Sequence, residues 1–278
     1  QITEIIILFI SSLFIYIIKY LIIYLNYIIF IYIYIYMKNV YKFKINYTLK
    51  GGTNQNDQLV TTIRNSIISN TNTYFNLRIP PLTDKKYIIS QLTDVINENK
   101  IIETLEFVNG DHPNAEEAYH IASYFADIIR NNTTITNLMI QHYNLLSDGT
   151  LLLVNALNNN NTITNLRLPY NNIFREGVNR LFDFLKTNQT IIELDLEGND
   201  INDRDIEHLA EVLRLNNTLT HLNLNYNGFI TNKLGNKAIT DLARALTTNT
   251  TLTHLYIRNN NITRLPSELS QNRTLTHL

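Results

Sequence analysis

The chain contains no cysteine among its 278 residues. This absence excludes disulfide bonds and metal sites built from thiolates. Secreted proteins commonly carry disulfide bonds, whereas proteins of a reducing compartment rarely do. We therefore expect a cytoplasmic protein.

The sequence also lacks an excess of positive or of negative charge. The 23 Lys and Arg residues nearly balance the 24 Asp and Glu residues, so the formal net charge is −1. Proteins whose main partner is nucleic acid usually carry a basic patch or stripe, and none is evident along this sequence. We therefore expect no nucleic-acid partner.

Sequence patterns typical of catalysis are also absent. The pair Gly51 and Gly52 lacks the Lys and the Ser or Thr that complete a phosphate-binding loop. The sequence contains neither an HExxH zinc motif nor a GxSxG nucleophile elbow. We therefore predict a protein with no catalytic residues, no bound metal and no cofactor, and hence not an enzyme.

What the sequence does contain is an internal repeat. Leu166, Leu194 and Leu222 lie 28 residues apart, and each begins a Leu-x-Leu pair that is followed by Asn three residues later. A fixed period of this length predicts a solenoid. Two spacings of 33 residues predict five-residue loop insertions. The other anchor leucines of this register are Leu77, Leu105, Leu138, Leu255 and Leu278.

Each repeat combines two hydrophobic periods. Apolar and polar residues alternate from Ile192 to Leu196, which predicts a short half-buried strand. From Ile206 to Leu213 the apolar residues follow the helical period. Strand and helix in alternation predict an α/β solenoid, with a parallel sheet on its concave face and helices on its convex face. The Asn residues at the helix ends predict left-handed C-caps.

The phrase NNTLTHLNLNYN, together with LAEVLRLNNT and LARALTTNT, resembles the ribonuclease-inhibitor-like class of leucine-rich repeats. Repeats of this class also form the arrays of NOD-like receptors and of the Ran GTPase-activating protein. The resemblance covers residues 74–278 and implies a horseshoe-shaped binding module, in a class with many unrelated partners. Tyr143 stands where the repeat has Asn, which predicts a looser repeat there. At Leu278 the pattern stops, so we expect an array truncated in mid-repeat.

Two segments precede the repeats. We interpret residues 37–73 as either a degenerate first repeat or a cap. Residues 1–36 are a hydrophobic, low-complexity segment dominated by Ile, Leu, Tyr and Phe. They are either a membrane anchor, which the following lysines would orient with the repeats in the cytosol, or translated non-coding DNA upstream of Met37. A membrane partner is therefore expected only if this segment is an anchor.

One Asn recurs after the strand of each repeat, where the backbone turns inward. A buried turn leaves main-chain groups that need hydrogen-bond partners, and an amide side chain can both donate and accept. We therefore predict a structural ladder that consists of Asn171, Asn199, Asn227 and Asn260.

Strand alternation places the residues that flank each anchor leucine on the concave face, away from the core. Glu193, Asp195 and Glu197 then form one acidic spot, for which the alternative interpretation is a solvated strand face. His221, His254 and His277 share a column because LTHL recurs, and repeat copying explains this column without a metal. The predicted partner-binding residues are Arg167, Tyr170, Glu193, Asp195, Glu197, His221, Asn223, Tyr226, His254, Tyr256 and Arg258.

The predicted function is a non-enzymatic module that binds another protein on its concave face, through a basic segment of that partner. Two other functions stay open. One is a regulatory GTPase-activating protein of the Ran-activator type. The other is a membrane-tethered leucine-rich-repeat receptor, which requires residues 1–36 to be an anchor. The sequence indicates neither the identity of the partner nor an oligomeric state.

Overall fold

Helices and strands alternate along the part of the chain that the computed structural model describes, which is residues 53–79, 84–110, 112–227 and 234–278. These residues belong to the compact unit Ile45–Leu278. The helices are α1 (Thr53–Ile68), α2 (Lys85–Glu98), α3 (Ala115–Asn131), α4 (Leu146–Leu157), α5 (Arg175–Leu185), α6 (Asp203–Leu215) and α7 (Asn236–Leu246), and a 3₁₀ helix spans Ser267–Gln271. The strands are β1 (Tyr74–Ile79), β2 (Thr104–Asn109), β3 (Asn137–Gln141), β4 (Asn165–Arg167), β5 (Glu193–Asp195), β6 (His221–Asn223) and β7 (His254–Tyr256).

The strands form one parallel sheet whose order follows the chain from β1 to β7. The anchor leucines of the last five strands lie in one line across the sheet. Parallel neighbours need a crossover between them, and each repeat supplies it with a helix. The predicted α/β solenoid is therefore confirmed. The aligned anchors are Leu138, Leu166, Leu194, Leu222 and Leu255.

The hydrophobic core lies between the sheet and the helices. On β5 the anchor Leu194 is fully buried, while Glu193 and Asp195 on either side are half-buried. The helices bury one stripe in the same core, as Leu209 and Leu213 of α6 do. Removing apolar surface from water is the main stabilising contribution, at roughly 25 cal/mol per Å². A single repeat buries little by itself, so the stability of the array depends on stacking.

The register of β1 differs from the prediction. In the sheet Phe75 pairs with Leu105, and Leu77 pairs with Phe107. Phe75 is therefore the anchor of β1, and Leu77 is not. Both side chains are buried, so both satisfy the hydrophobic pattern. Pairing with the neighbouring strand decides between them, and a search for Leu-x-Leu pairs cannot.

The Asn residues at helix ends do not adopt the predicted left-handed conformation. Asn132 and Asn216 are extended, with φ of −79° and −75°. The Oδ1 of Asn216 accepts the N–H groups of Thr218 and Leu219 at 3.0 and 2.8 Å, and its Nδ2 donates to the carbonyl of Leu185 at 2.7 Å. Left-handed backbone occurs instead in the turns after the strands. Each of these side chains therefore holds the turn that follows its own helix and donates to a carbonyl in the helix of the preceding repeat.

The segments that precede the repeats lie mostly outside the described residues, and this includes the whole of 1–36. Within 37–73, helix α1 contacts α2, where Arg64 Nη1 donates to the carbonyl of Gln91 at 2.6 Å. No helix among the described residues is both long and apolar enough to cross a membrane. The three-part division of the chain stays a prediction.

Candidate interaction surface

The residues that flank the anchors form two rows on the sheet face that points away from the core, which we term the open face. Neighbouring strands lie about 4.8 Å apart, so adjacent members of a row contact each other. The residues before the anchors are Tyr74, Thr104, Asn137, Asn165, Glu193, His221 and His254. The residues after the anchors are Asn76, Glu106, Met139, Arg167, Asp195, Asn223 and Tyr256.

Three half-buried carboxylates lie together at β5, two on the strand and one in the turn that follows it. We term Glu193, Asp195 and Glu197 the acidic strand. Glu193 Oε2 accepts the Nδ2 of Asn165 at 2.6 Å. Asp195 Oδ1 accepts the main-chain N–H of Glu197 at 2.9 Å. Glu197 Oε1 accepts the hydroxyl of Tyr170 at 2.6 Å. Uncharged donors therefore hold all three side chains in place.

No cation among the described residues forms an ion pair with the acidic strand. In the described part of the chain, none of its three carboxylates belongs to an ion pair. Arg167, the register neighbour of Asp195, binds Glu106 instead, with 3.3 Å between Nη2 and Oε1. The negative charge of the acidic strand thus stays unpaired.

Burial raises the pKa of Asp195 to about 6, because desolvation disfavours the charged carboxylate. The N–H of Glu197, the amide of Asn223 and the charge of Arg167 oppose this rise, whereas the carboxylate of Glu197 adds to it. A cation brought by a partner would favour the charged form. Cation binding and proton release are therefore linked at Asp195.

Tyr170 covers one edge of the acidic strand. Its ring stacks on His142, with 4.9 Å between the ring centroids and 17° between the planes. Burial and the bond to Glu197 raise the pKa of Tyr170, so its hydroxyl stays a donor. A Cβ on Gly198 would collide with the Tyr170 ring, so the glycine provides the space that the ring fills. Tyr226 occupies the equivalent position one repeat beyond Gly198, so Tyr170 and Tyr226 lie one repeat before and one repeat after this glycine.

His221, His254 and His277 stack face to face, and we term them the histidine ladder. Adjacent ring centroids are 4.0 Å apart in both pairs, with interplanar angles of 13° and 10°. Burial lowers the pKa of His254, and the two flanking rings lower it further. Parallel rings do not aim their lone pairs at one point, as a tetrahedral metal requires. In the described residues no group of three potential ligands is arranged to hold a metal ion.

The remaining predicted residues lie toward β7. Asn223 Nδ2 donates to Glu197 Oε2 at 3.2 Å, and its Oδ1 accepts the N–H of Asn225 at 2.9 Å. Tyr256 is 39% exposed. The Arg258 side chain is exposed, while its main-chain N–H donates to Asn225 Oδ1 at 2.6 Å. The open face is thus more accessible at β7 than at β5.

The asparagines after the strands lie in the interior instead of on the open face. Asn171, Asn199 and Asn227 are fully buried. The Oδ1 of Asn199 accepts a hydrogen bond from the main-chain N–H of Asn171 at 2.9 Å. In the same way, Asn227 accepts from the N–H of Asn199 at 2.9 Å, and Asn260 accepts from the N–H of Asn227 at 2.8 Å. In the other direction, Asn199 Nδ2 donates to the carbonyl of Leu168 at 2.8 Å. Each of these side chains therefore connects neighbouring repeats.

A polar cluster on β1 and β2 is absent from the sequence prediction. Glu106 Oε2 accepts the hydroxyl of Tyr74 and the Nδ2 of Asn76, both at 2.7 Å. Tyr74 and Asn76 flank Phe75, the anchor of β1 that the Leu-x-Leu pattern does not identify. Glu106 directly follows the correctly assigned Leu105, and this position alone would have identified it.

The sequence pattern of the family described as Leucine Rich repeat matches residues 187–210, 215–233 and 248–264. Each matched segment contains one strand of the sheet, in the order β5, β6 and β7. The chain contains leucine-rich repeats. Arrays of such repeats present extended surfaces for binding, and at this level the protein is an interaction module. Comparison with curated proteins gives no match.

Two solved structures are similar over part of this chain. One is described as Leiomodin-1 Actin-Binding Site 2, with 27% identity, 47% of this chain and 76% of that chain covered, and a TM-score of 0.40. The other is the tropomodulin C-terminal domain from Caenorhabditis elegans, with 14% identity, 68% and 92% covered, and a TM-score of 0.33. TM-scores below 0.5 do not support the transfer of either protein's function.

Proposed function

We propose that the open face binds a Lys- and Arg-rich segment of another protein, with the acidic strand at the centre of the contact. The unpaired charge of this strand carries the proposal. Its three carboxylates, on β5 and the turn after it, lack a cationic partner within the described residues. Complementary charge of this kind favours encounter with a basic partner and disfavours an acidic one.

The geometry of the open face supports this choice. Asn165 and Tyr170 already hold Glu193 and Glu197 in place, so a partner has little side-chain freedom to remove when it binds. Arg167 and Arg258 carry positive charge on either side of the acidic strand. Arg167 would repel basic residues that extend toward β4, and Arg258 would repel those that reach the turn after β7, which favours a basic segment over β5, β6 and β7.

Peptide display on the full chain tests the proposal, and the Kd of each enriched peptide is then measured by fluorescence anisotropy at low ionic strength. We expect Lys- and Arg-rich peptides to be enriched. The triple variant Glu193→Gln, Asp195→Asn and Glu197→Gln should weaken them by about tenfold or more, because charge pairs across an interface are lost. The amides keep the side-chain size and an oxygen for the donors on Asn165 and Tyr170.

The control is Glu211→Gln, which removes one exposed carboxylate from α6 and leaves the open face unchanged. This variant should bind as the parent protein does. Enrichment of peptides without a basic bias would contradict the proposal, as would an unchanged Kd in the triple variant.

A further inference from the structure

The histidine ladder continues the first row of the open face directly from the acidic strand. Glu193 pairs in register with His221, and His221 pairs with His254. An isolated parallel bridge joins His254 to His277. A partner segment on the acidic strand therefore lies beside three imidazole rings.

A threonine precedes each ring and fixes its orientation. Each threonine hydroxyl lies 2.7 to 2.9 Å from the Nδ1 of the ring, and 3.1 to 3.2 Å from a carbonyl of the preceding repeat. A hydroxyl has one hydrogen, and donating it to the carbonyl leaves its lone pairs to accept from an Nδ1–H. The neutral ring then carries an unprotonated Nε2. The three residues are Thr220, Thr253 and Thr276.

The Nε2 atoms of the ladder are available to a partner. Within the part of the chain that the structure describes, the ladder rings make their side-chain hydrogen bonds through Nδ1. His221 and His254 are half-buried and His277 is exposed. A row of acceptors without hydrogen bonds to the described residues suits the N–H groups of lysine and arginine, which donate and never accept.

Resting on the proposed function, we propose that the histidine ladder makes docking of the basic segment proton-dependent, since neutral rings accept hydrogen bonds from it and protonated rings repel it. Protonation turns each Nε2 from an acceptor into a donor and adds positive charge next to the acidic strand. Rings 4.0 Å apart also repel one another once charged. The other charged or titratable side chains around the ladder are Glu193, Asp195, Tyr256 and Arg258.

The chain itself provides an uncharged replacement for these histidines. Asn137 and Asn165 occupy the same row on β3 and β4. Asn137 Nδ2 donates to Thr136 Oγ1 at 2.9 Å, and Asn165 Oδ1 accepts from Thr164 Oγ1 at 2.8 Å. Asn therefore keeps the threonine contact of this row without a ring that can be protonated. The matched variant is His221→Asn, His254→Asn and His277→Asn.

The experiment measures the Kd of a fluorescein-labelled lysine-rich peptide for the full chain at low ionic strength. We expect the parent protein to bind about tenfold more weakly at about pH 5.5 than at about pH 7.5. The triple Asn variant should lose most of this dependence. The pH dependence of Kd that remains is due to Asp195, and it should disappear when Asp195→Asn is added. Circular dichroism at both pH values verifies that each variant is folded.

Two outcomes separate this inference from the proposed function. Equal pH dependence in the parent and in the triple Asn variant overturns the role of the ladder and leaves docking intact. Absence of peptide binding at both pH values overturns the proposed function and the ladder with it. If the triple variant unfolds, the single variant His254→Asn tests the role of the ladder instead. It should reduce the pH dependence of Kd, because His254 contacts both other rings.

Discussion

At the scale of single residues, asparagine connects the repeats at two different positions. Asn199 lies after a strand and Asn216 after a helix, and the amide of each donates to a carbonyl of the preceding repeat. The sequence correctly places Asn199 in a turn. For Asn216 it predicts a left-handed backbone, whereas the backbone there is extended. Asn216 is only 6% exposed and its Nδ2 is bonded, so the Asn-x-Thr phrase here forms a capped turn instead of presenting a glycosylation acceptor.

Asn199→Ala should lower the free energy of unfolding by about 2–4 kcal/mol, because buried main-chain groups lose their partners. These groups are the N–H of Asn171 and of Ile173 and the carbonyl of Leu168. Urea denaturation measures the change. Asn155→Ala on the exposed face of α4 is the control. A loss at Asn199 no larger than in the control would show that the ladder contributes nothing.

At the scale of elements, strand β5 holds most of the negative charge of the open face. Alternation along the strand follows from the sequence, and it places Glu193, Asp195 and Glu197 on one side. Their partners do not follow from it. Arg167 is the neighbour of Asp195 in the register, yet it binds Glu106 across the width of β3. Only the folded structure shows which of these carboxylates Arg167 binds.

Asp195 should make stability depend on pH. Its folded pKa is raised from 3.8 to about 6, so the neutral form stabilises the fold below about pH 4, and this stabilisation is lost as the pH rises through 6. Asp195→Asn stays neutral, so it should be about 1–3 kcal/mol more stable than the parent protein at pH 7 and equal to it near pH 4. Urea denaturation across this range measures the difference, with Asp94→Asn on the exposed face of α2 as the control. If the difference in unfolding free energy between Asp195→Asn and the parent protein did not change with pH, the raised pKa would be contradicted.

At the scale of the whole molecule, contacts between successive repeats hold the described array together. Tyr143 replaces the ladder Asn, and the sequence predicts a loose repeat there. This prediction was wrong, because Tyr143 is fully buried, its ring packs 5.1 Å from that of Phe125, and its N–H donates to Asn171 Oδ1 at 2.9 Å. The neighbouring helices also approach closely. A Cβ on Gly177 of α5 would lie 3.0 Å from the Cα of Ser147 on α4.

Gly177→Ala should therefore destabilise the stack. Overpacking against backbone costs about 1–3 kcal/mol, which exceeds the gain of up to about 1 kcal/mol from better helix propensity. We expect a net loss of about 1 kcal/mol in thermal or urea denaturation. Gly235→Ala is the control, since the nearest atom to its added Cβ lies at 3.5 Å, an ordinary contact. Greater stability of Gly177→Ala would mean that α4 and α5 can separate at little cost.

The sequence by itself determined the repeat, the alternation of strand and helix, and the side of each strand that faces the core from β3 onward. These features follow from periodic hydrophobicity, which is local. The tertiary structure decided the anchor of β1, the partner of Arg167, the extended caps at the helix ends and the stacking of three histidines. Each of these depends on atoms that lie a repeat or more away along the chain, and the free-energy differences among the alternatives come from packing and hydrogen bonding that no single repeat contains.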